Sequence, residues 1–272
     1  MVKNQREGVA YMDRNNIDKI ARTSEDRILL AKLWDKICGG MSRNIPANTS
    51  FLTPREQELA RYLFGSAEGL LFFGGYEDAE RKMLIYLPDY LNESCLYEEQ
   101  SPLCCLRAQF YENDSLSHRD ILGALMGCGI AREAVGDICV GNGSCDFFVT
   151  KEIAPYVIQN LAEAGRTKLC IQQIPLSQIN IPHAEGILMH DTVASVRLDS
   201  IISAGFHIGR SKAAQAICAG KVQINGLVCE KPDKSVDEGA KISLRGHGKI
   251  QLKEVGKLTK KGRISVVIYR YI

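Results

Sequence analysis

At 272 residues, 45% hydrophobic and 24% charged, the chain has the length for two or three small domains and the composition of an ordinary globular protein. No run of about eighteen apolar residues occurs, so no membrane span is expected, and the first twenty residues lack a signal's apolar core, which predicts a cytoplasmic location. The net charge of +2 conceals a split: from residue 192 onward 15 Lys and Arg face 6 Asp and Glu, whereas the first 191 residues carry 19 against 26.

The first segment reads as mainly helical. In "SEDRILLAKLWDKIC" the residues Leu30, Leu33, Trp34 and Ile37 fall at the spacing of one helix face. A second helix opens at "TPRE", where Thr53 caps, Pro54 suits the first helical position and Glu56 completes a capping box. Leu59, Leu63 and Phe64 form its stripe and Gly65 stops it. "GLLFFGGYEDAERKMLIYLP" then reads as strand, glycine turn, a short acidic-basic helix or turn, and strand.

The middle of the chain alternates. Strands are expected at 103–110, "AVGDICV", "CDFFVT" and "KLCIQQIPL", with one helix from Ser117 and another over "KEIAPYVIQNLAEAG". Strand–helix–strand–strand–helix–strand is the split βαβ, or ferredoxin-like (RRM-like), plait. Ser117 and Asp120 pair at the first helix's start, and Gly123 and Gly127, four apart, suggest close approach of a strand. Phe147 and Phe148 are adjacent, so one of them is a candidate to face outward and stack on RNA, with core packing the alternative. His118 and Arg119 are secondary candidates for RNA contact.

"INIPHAEGILMHD" has few helix cues and is read as a linker. The fold class expected is therefore α+β, with three small domains: a helical/α+β N-terminal domain at 1–80, the plait at 81–178, a linker at 179–191 and a basic domain at 192–272. Ten cysteines include one adjacent pair (Cys104, Cys105) and no Cys-x-x-Cys. Structural zinc needs closely spaced pairs, so free thiols in a reducing compartment are expected, with no metal and no cofactor.

In the basic domain, "SVRLDSIISAG" predicts a helix with Leu198, Ile201 and Ile202 inward, stopped by Gly205. A second helix runs from Arg210 to Gly220, and its small face (Ala213, Ala214, Ala216) suits close packing. Val222 and Ile224 then alternate into the Asn225-Gly226 hairpin turn, and "DEGAKISLR" supplies another strand. Arg210 and Lys212 stand in the second helix's first turn, where cations oppose the helix dipole by about 0.3–1 kcal/mol each. Stability alone would favour carboxylates there. A helix start offers N–H donors to phosphate, so Arg210, Ser211 and Lys212, with Arg197 and Lys221 beside them, are the expected phosphate clamp. Arg245, Lys249, Lys260, Lys261 and Arg263 would extend the surface. The charge excess points to a polyanion as the partner. The basic residues are spread through patterned, foldable sequence rather than one juxtamembrane run, so nucleic acid is expected and a membrane is not, and no small-molecule substrate is expected.

These residues also carry a resemblance. "RLDSIISAGFHIGRSKAAQAICAGKVQINGLVCEKPDKSVDEGAKISL" resembles the S-four-type (alpha-L) RNA-binding domain, whose pattern runs Arg-Leu-Asp, a glycine, Ser-Arg before the second helix, Gly-x-Val-x-Val-Asn-Gly, then Gly-Asp-x-Ile. Gly209 stands where that family usually carries a capping serine, and Ala240 where it carries Asp. "SHRDILGALMGCGIAREAVGDI", "FFGGYEDAERKMLIYLP" and "RGHGKIQLKEVGKLTKKGR" extend the likeness to the bacterial YlmH family, from about Phe51 to Arg263. The resemblance implies binding of ribosomal RNA, and of tRNA, on the large ribosomal subunit. It also implies a link to ribosome-associated quality control and to cell division.

S-four-type domains are often attached to RNA-modifying enzymes, so a pseudouridine synthase or methyltransferase is the alternative. Arg197-Leu198-Asp199 superficially resembles a synthase motif, but it lies inside the binding domain's first helix, where Asp199 is expected to pair with a cation or cap backbone. "VGNGSCDF" holds Gly141 and Gly143 between two strands, as a turn rather than a cofactor loop. No catalytic residues are assigned, and a non-catalytic RNA-binding protein is expected.

Overall fold

The computed structural model describes residues 13–98, 100–111, 114, 116–181, 186–259 and 262–271. It divides into two compact units, Met1–Pro182 and His183–Ile272.

The first unit opens with α1 (Asn16–Ile20) and α2 (Ser24–Arg43), the latter capped by Thr23, whose hydroxyl accepts from the Asp26 amide. β1 (Ala47–Asn48) follows, then α3 (Pro54–Phe64), which carries the expected capping box. The Thr53 amide donates to the Glu56 carboxylate at 2.7 Å and the Glu56 amide to the Thr53 hydroxyl at 3.3 Å. β2 (Leu70–Phe73) and β3 (Met83–Tyr86) complete a three-stranded antiparallel sheet with order β1-β3-β2. The boundary expected at 80/81 therefore falls just before a strand of the N-terminal sheet. β3 belongs with β1 and β2 because its residues pair with both.

The second sheet is built from β4 (Leu103–Gln109), β5 (Val135–Val140), β6 (Ser144–Thr150) and, beyond a small hairpin of β7 (Glu163–Ala164) and β8 (Thr167–Lys168), β9 (Cys170–Ile174). Its antiparallel order, β5-β6-β4-β9, with α4 (His118–Gly127) after β4 and α5 (Ala154–Asn160) after β6, is the split βαβ topology. The helix expected over 151–165 stops at Asn160, and Gly165 adopts φ +61 in the hairpin turn that follows.

The central strands β4 and β6 are buried on both faces over most of their length, which explains their apolar runs at 103–106 and 147–149, whereas β9 at the edge is mostly exposed. Cys104, Leu106, Phe147 and Val149 pack under α4 and α5 with Ile121, Leu125 and Val157. Cys105, Phe148 and Ile174 face the other way, onto Phe51, Phe73, Met83 and Ile85 of the N-terminal part. Phe147 and Phe148 are both fully buried, so neither is a stacking surface for RNA. The adjacent cysteines point to opposite cores, and all ten cysteines are free thiols.

A polar clamp joins the two sheets. Asp137 on β5 accepts from the Tyr76 hydroxyl (2.8 Å) and from the amides of Glu80 (2.6 Å) and Arg81 (3.0 Å). Arg81 donates to the carbonyls of Val135, Phe51 and Arg132. Gly75 and Gly136 lie so close to Phe148 that a Cβ would come within 2.3 Å and 2.9 Å of its side chain. Gly75 of "FFGGYEDAERK" is thus explained by docking, and Gly74 by its own turn, where a Cβ would meet Ala79 and the Arg81 carbonyl. Gly123 and Gly127 are not: both are exposed, and a Cβ on either would meet nothing within 4 Å. Close strand approach is not their reason.

In the second unit β10 (Gly186–Val193) precedes α6 (Leu198–Phe206) and α7 (Arg210–Cys218). β11 (Val222–Ile224), β12 (Leu227–Val228), β13 (Lys241–Leu244), β14 (Gly248–Leu258) and β15 (Ile264–Tyr271) follow. They form one antiparallel sheet in the order β10-β15-β14-β13-β11-β12. The linker expected at 179–191 is in its second half strand β10, which pairs along its whole length with the chain's last strand. Leu198, Ile201 and Ile202 of α6 pack with Ala213 and Ile217 of α7 over Ile242, Ile250, Leu252 and Ile268. Gly205 does not stop α6. It lies within the helix, where a Cβ would stand 2.5 Å from the Ile250 side chain, and His207 at φ +53 ends the helix instead. Among the described residues no helix is long and apolar enough to cross a membrane.

Candidate nucleic-acid interface

The two helices of the second unit start in different ways. At α6 the amide of Leu198 donates to the Lys234 carbonyl (2.9 Å) and that of Asp199 to the Pro232 carbonyl (3.0 Å). A loop distant in sequence thus satisfies this helix end. At α7 the N-cap is Gly209, no side chain caps the helix, and the space around Gly209 is open. Arg210, Ser211 and Lys212 in its first turn are all exposed, with no acidic residue among them. A helix end of this kind carries uncompensated positive potential outward.

Asp199 lies between these ends. It is 5% exposed and accepts from Arg210 Nε at 2.9 Å, while Arg197 approaches its other oxygen at 3.4 Å. Burial pushes its carboxyl up, but the Arg210 hydrogen bond and the two guanidinium charges outweigh that and hold it below the ordinary aspartate range. Two arginines share one carboxylate, leaving a positive excess. Both remain about half-exposed, and Arg197 Nε is buried without a hydrogen-bond partner among the described residues. Asp199 is thus a pairing residue, as its place inside a helix implied.

The other candidates are scattered. Lys221 follows the far end of α7, about 13 Å of helix away from Arg210, so it is not beside the helix start. Its carbonyl accepts from the Arg245 amide at 3.0 Å, which groups Lys221 with Arg245 at that end. Lys249 stands on β14. Arg263 is tied to β10, donating from Nε to the Thr192 hydroxyl at 2.9 Å and from its terminal nitrogen to the Thr192 carbonyl. Lys260 and Lys261 lie outside the described residues. His118 and Arg119 are exposed at the start of α4, in the other unit, where Ser117 and Asp120 already close a capping box.

Two cations were missed by sequence reasoning. Lys231 and Lys234 are exposed on the loop whose carbonyls close the start of α6, and Ser235 in that loop bridges Arg197. Only the long-range fold brings their loop to the start of α6, so no local signal marks them. Among the described residues no group of three or more His, Cys, Asp or Glu is placed to hold a metal ion.

Residues 196–242 match the S4 domain model, and this span holds both helix ends, Asp199 and the loop with Lys231 and Lys234. The fold and the site thus define an RNA-binding protein of the S4-domain class, α+β throughout. Residues 109–178 match a model described as "Putative RNA-binding domain in YlmH". The chain is 35% identical over 224 residues to "Ribosome-associated protein quality control protein P2" of Bacillus subtilis (strain 168), covering 82% of this chain and 86% of that protein. The chain belongs to the YlmH family. A solved structure, "Cell division protein ylmH from Streptococcus pneumoniae", aligns with a TM-score of 0.47 at 19% identity, over 59% of this chain and 98% of that one.

Proposed function

We propose that this protein is a non-catalytic, cytoplasmic RNA-binding factor that docks on structured RNA of the large ribosomal subunit, ribosomal RNA or tRNA, in ribosome-associated quality control. The observation that carries the reading is Asp199 shared by two arginines beside the uncapped start of α7. One carboxylate orients Arg197 and Arg210 without using all their donors, and Lys212 adds charge to the same face. An RNA phosphate completes such a set. Phosphate contacts then supply affinity and the shape of the folded RNA supplies selectivity. The ribosomal setting rests on the family and on the name of the Bacillus subtilis relative.

The test is a titration of purified large subunits at several salt concentrations with Lys212→Ala and Lys234→Ala. Both side chains are exposed, so the fold survives their loss. The slope of log affinity against log salt falls by about 0.7–0.9 for each phosphate contact removed. An unchanged slope overturns the clamp. A new modified nucleotide, found by mass spectrometry after incubating protein, RNA and methyl donor, overturns the non-catalytic assignment.

A further inference from the structure

The six-stranded sheet of the second unit has two faces, and α6 and α7 cover one. On β15 the residues Val266 and Ile268 enter that core, so Val267, Tyr269 and Tyr271 stand on the opposite face. The register places Gln251 opposite Tyr269, Lys241 opposite Gln251, and Ser243 opposite Lys249, all on this second face. Leu188 of β10, 54% exposed, pairs with Tyr269.

The two tyrosines are held by built contacts. Their rings meet edge to face with centroids 5.0 Å apart. Tyr269 lies across Gly186 of β10, where a Cβ would come within 2.4 Å of the ring, so only glycine leaves it room. The Tyr271 hydroxyl donates to Gln251 Oε1 at 3.1 Å, and Gln251, itself buried, donates to the Gly239 carbonyl. Each ring has a lysine beside it: Lys253 Nζ is 6.0 Å from the Tyr269 centroid and Lys249 Nζ 5.7 Å from that of Tyr271. Lys253 is exposed and sits at the register shift between Leu252 and Glu254. Glu254, opposite Val267, is the acidic residue of this strand, set against Lys241, Lys249 and Lys253.

We propose that this face is a second RNA-contact surface and that it takes unpaired nucleotides. It rests on the reading of the protein as RNA-binding. A sheet face with half-buried aromatic rings and adjacent lysines has the chemistry of single-strand recognition, in which bases stack on rings and cations follow the phosphates. A duplex presents no base faces to such rings. The positive excess complements a phosphate chain, and Tyr269 and Tyr271 are positioned before any ligand arrives. The four-stranded sheet of the first unit cannot do the same, since both its aromatic residues are buried.

The test uses the full chain with two fluorescent RNAs, a 12-nucleotide oligoadenylate and a stable hairpin. Tyr269→Leu and Tyr271→Leu each weaken oligoadenylate binding about tenfold, while hairpin affinity stays within about twofold. Lys212→Ala shows the reverse pattern. Lys253→Glu, at an exposed position, weakens oligoadenylate several-fold and carries the test if either leucine variant fails to fold. Ultraviolet crosslinks from the single strand fall on peptides containing residues 249–271. Hairpin binding without oligoadenylate binding overturns this proposal and leaves the RNA-binding reading standing, whereas loss of both overturns the two together. Unchanged oligoadenylate affinity in the folded variants, with weaker ribosome co-sedimentation, assigns the face to a protein partner and overturns the proposal.

Discussion

Each unit contains a buried aspartate gripped by arginine, and the two are finished differently. In the first unit Asp146, 1% exposed, takes Arg107 with both oxygens at 2.6 and 2.7 Å and the Asn180 amide at 2.7 Å. Arg107 places another donor on the Gln178 carbonyl. Charge is balanced one to one, and the group ties the end of β9's following loop to β4 and β6. In the second unit Asp199 has two arginines, each about half-exposed, with one guanidinium nitrogen unsatisfied. The chemistry is the same and the stoichiometry is not. The matched pair is closed on itself, whereas the surplus cation beside Asp199 is what the proposed function assigns to an RNA phosphate.

The comparison breaks most readily at Arg107. Arg107→Ala leaves the Asp146 carboxylate buried and unpaired, and removing one partner of such a pair is expected to cost about 3–5 kcal/mol. Urea denaturation of the variant reads this directly, and hairpin affinity at low denaturant stays unchanged. Stability within 1 kcal/mol of wild type would mean that Asp146 relaxes toward water and that the two sites are not distinct in kind.

Arg210→Ala should be milder, about 1–2 kcal/mol, because Arg197 still faces Asp199 and Arg210 is already half in water. It differs from Arg107→Ala in lowering RNA affinity and the salt slope together. Acid sharpens the contrast. The Asp199 carboxyl is lowered in the folded state, so its stabilisation is present above its unfolded value of about 3.9 and is lost as pH falls through the folded value. Asp199→Asn removes that contribution at neutral pH. The stability gap between wild type and Asp199→Asn therefore closes as the pH drops below about 4, followed by urea midpoints from pH 6 to pH 2.5. Asp26, lowered chiefly by its Arg55 hydrogen bond, produces the same acid-sensitive limb in the first unit and persists in the Asn variant.

What was legible in the sequence follows the same division between local and distant causes. Thr53 with Glu56 and Ser117 with Asp120 announced their helices because a capping box closes within four residues. The strands at 103–109 and 144–150 were visible as apolar runs, and the Asn225-Gly226 turn as a dipeptide with both residues at positive φ. The roles of Gly205, Gly75 and Gly136 were not legible, since each is set by a side chain far along the chain. β10 reads as a linker in the sequence because its stretch carries a proline and few helix cues, and its ladder partner is the last strand. At the site, the cations in the first turn of α7 could be found from the dipole argument alone. That Lys221 belongs to the opposite end, and that the loop of Lys231 and Lys234 closes the start of α6, required the fold.

The smallest effect is the most diagnostic. Lys212 sits in the first turn of α7, exposed, with no acidic neighbour in that turn and no side-chain cap before it. Replacing it with Glu turns an unfavourable charge–dipole contact into a favourable one, worth about 0.3–1 kcal/mol of added stability. The same change sets a negative charge against any phosphate at that helix start, so hairpin affinity should fall at least tenfold. Arg107→Ala lowers stability and spares binding, and Lys212→Glu should raise stability and abolish it. A Lys212→Glu protein that melts higher and still binds RNA would remove the reason for placing a cation there. A protein that melts lower would show that Lys212 serves the fold, and the misfit between helix stability and charge would cease to mark the site.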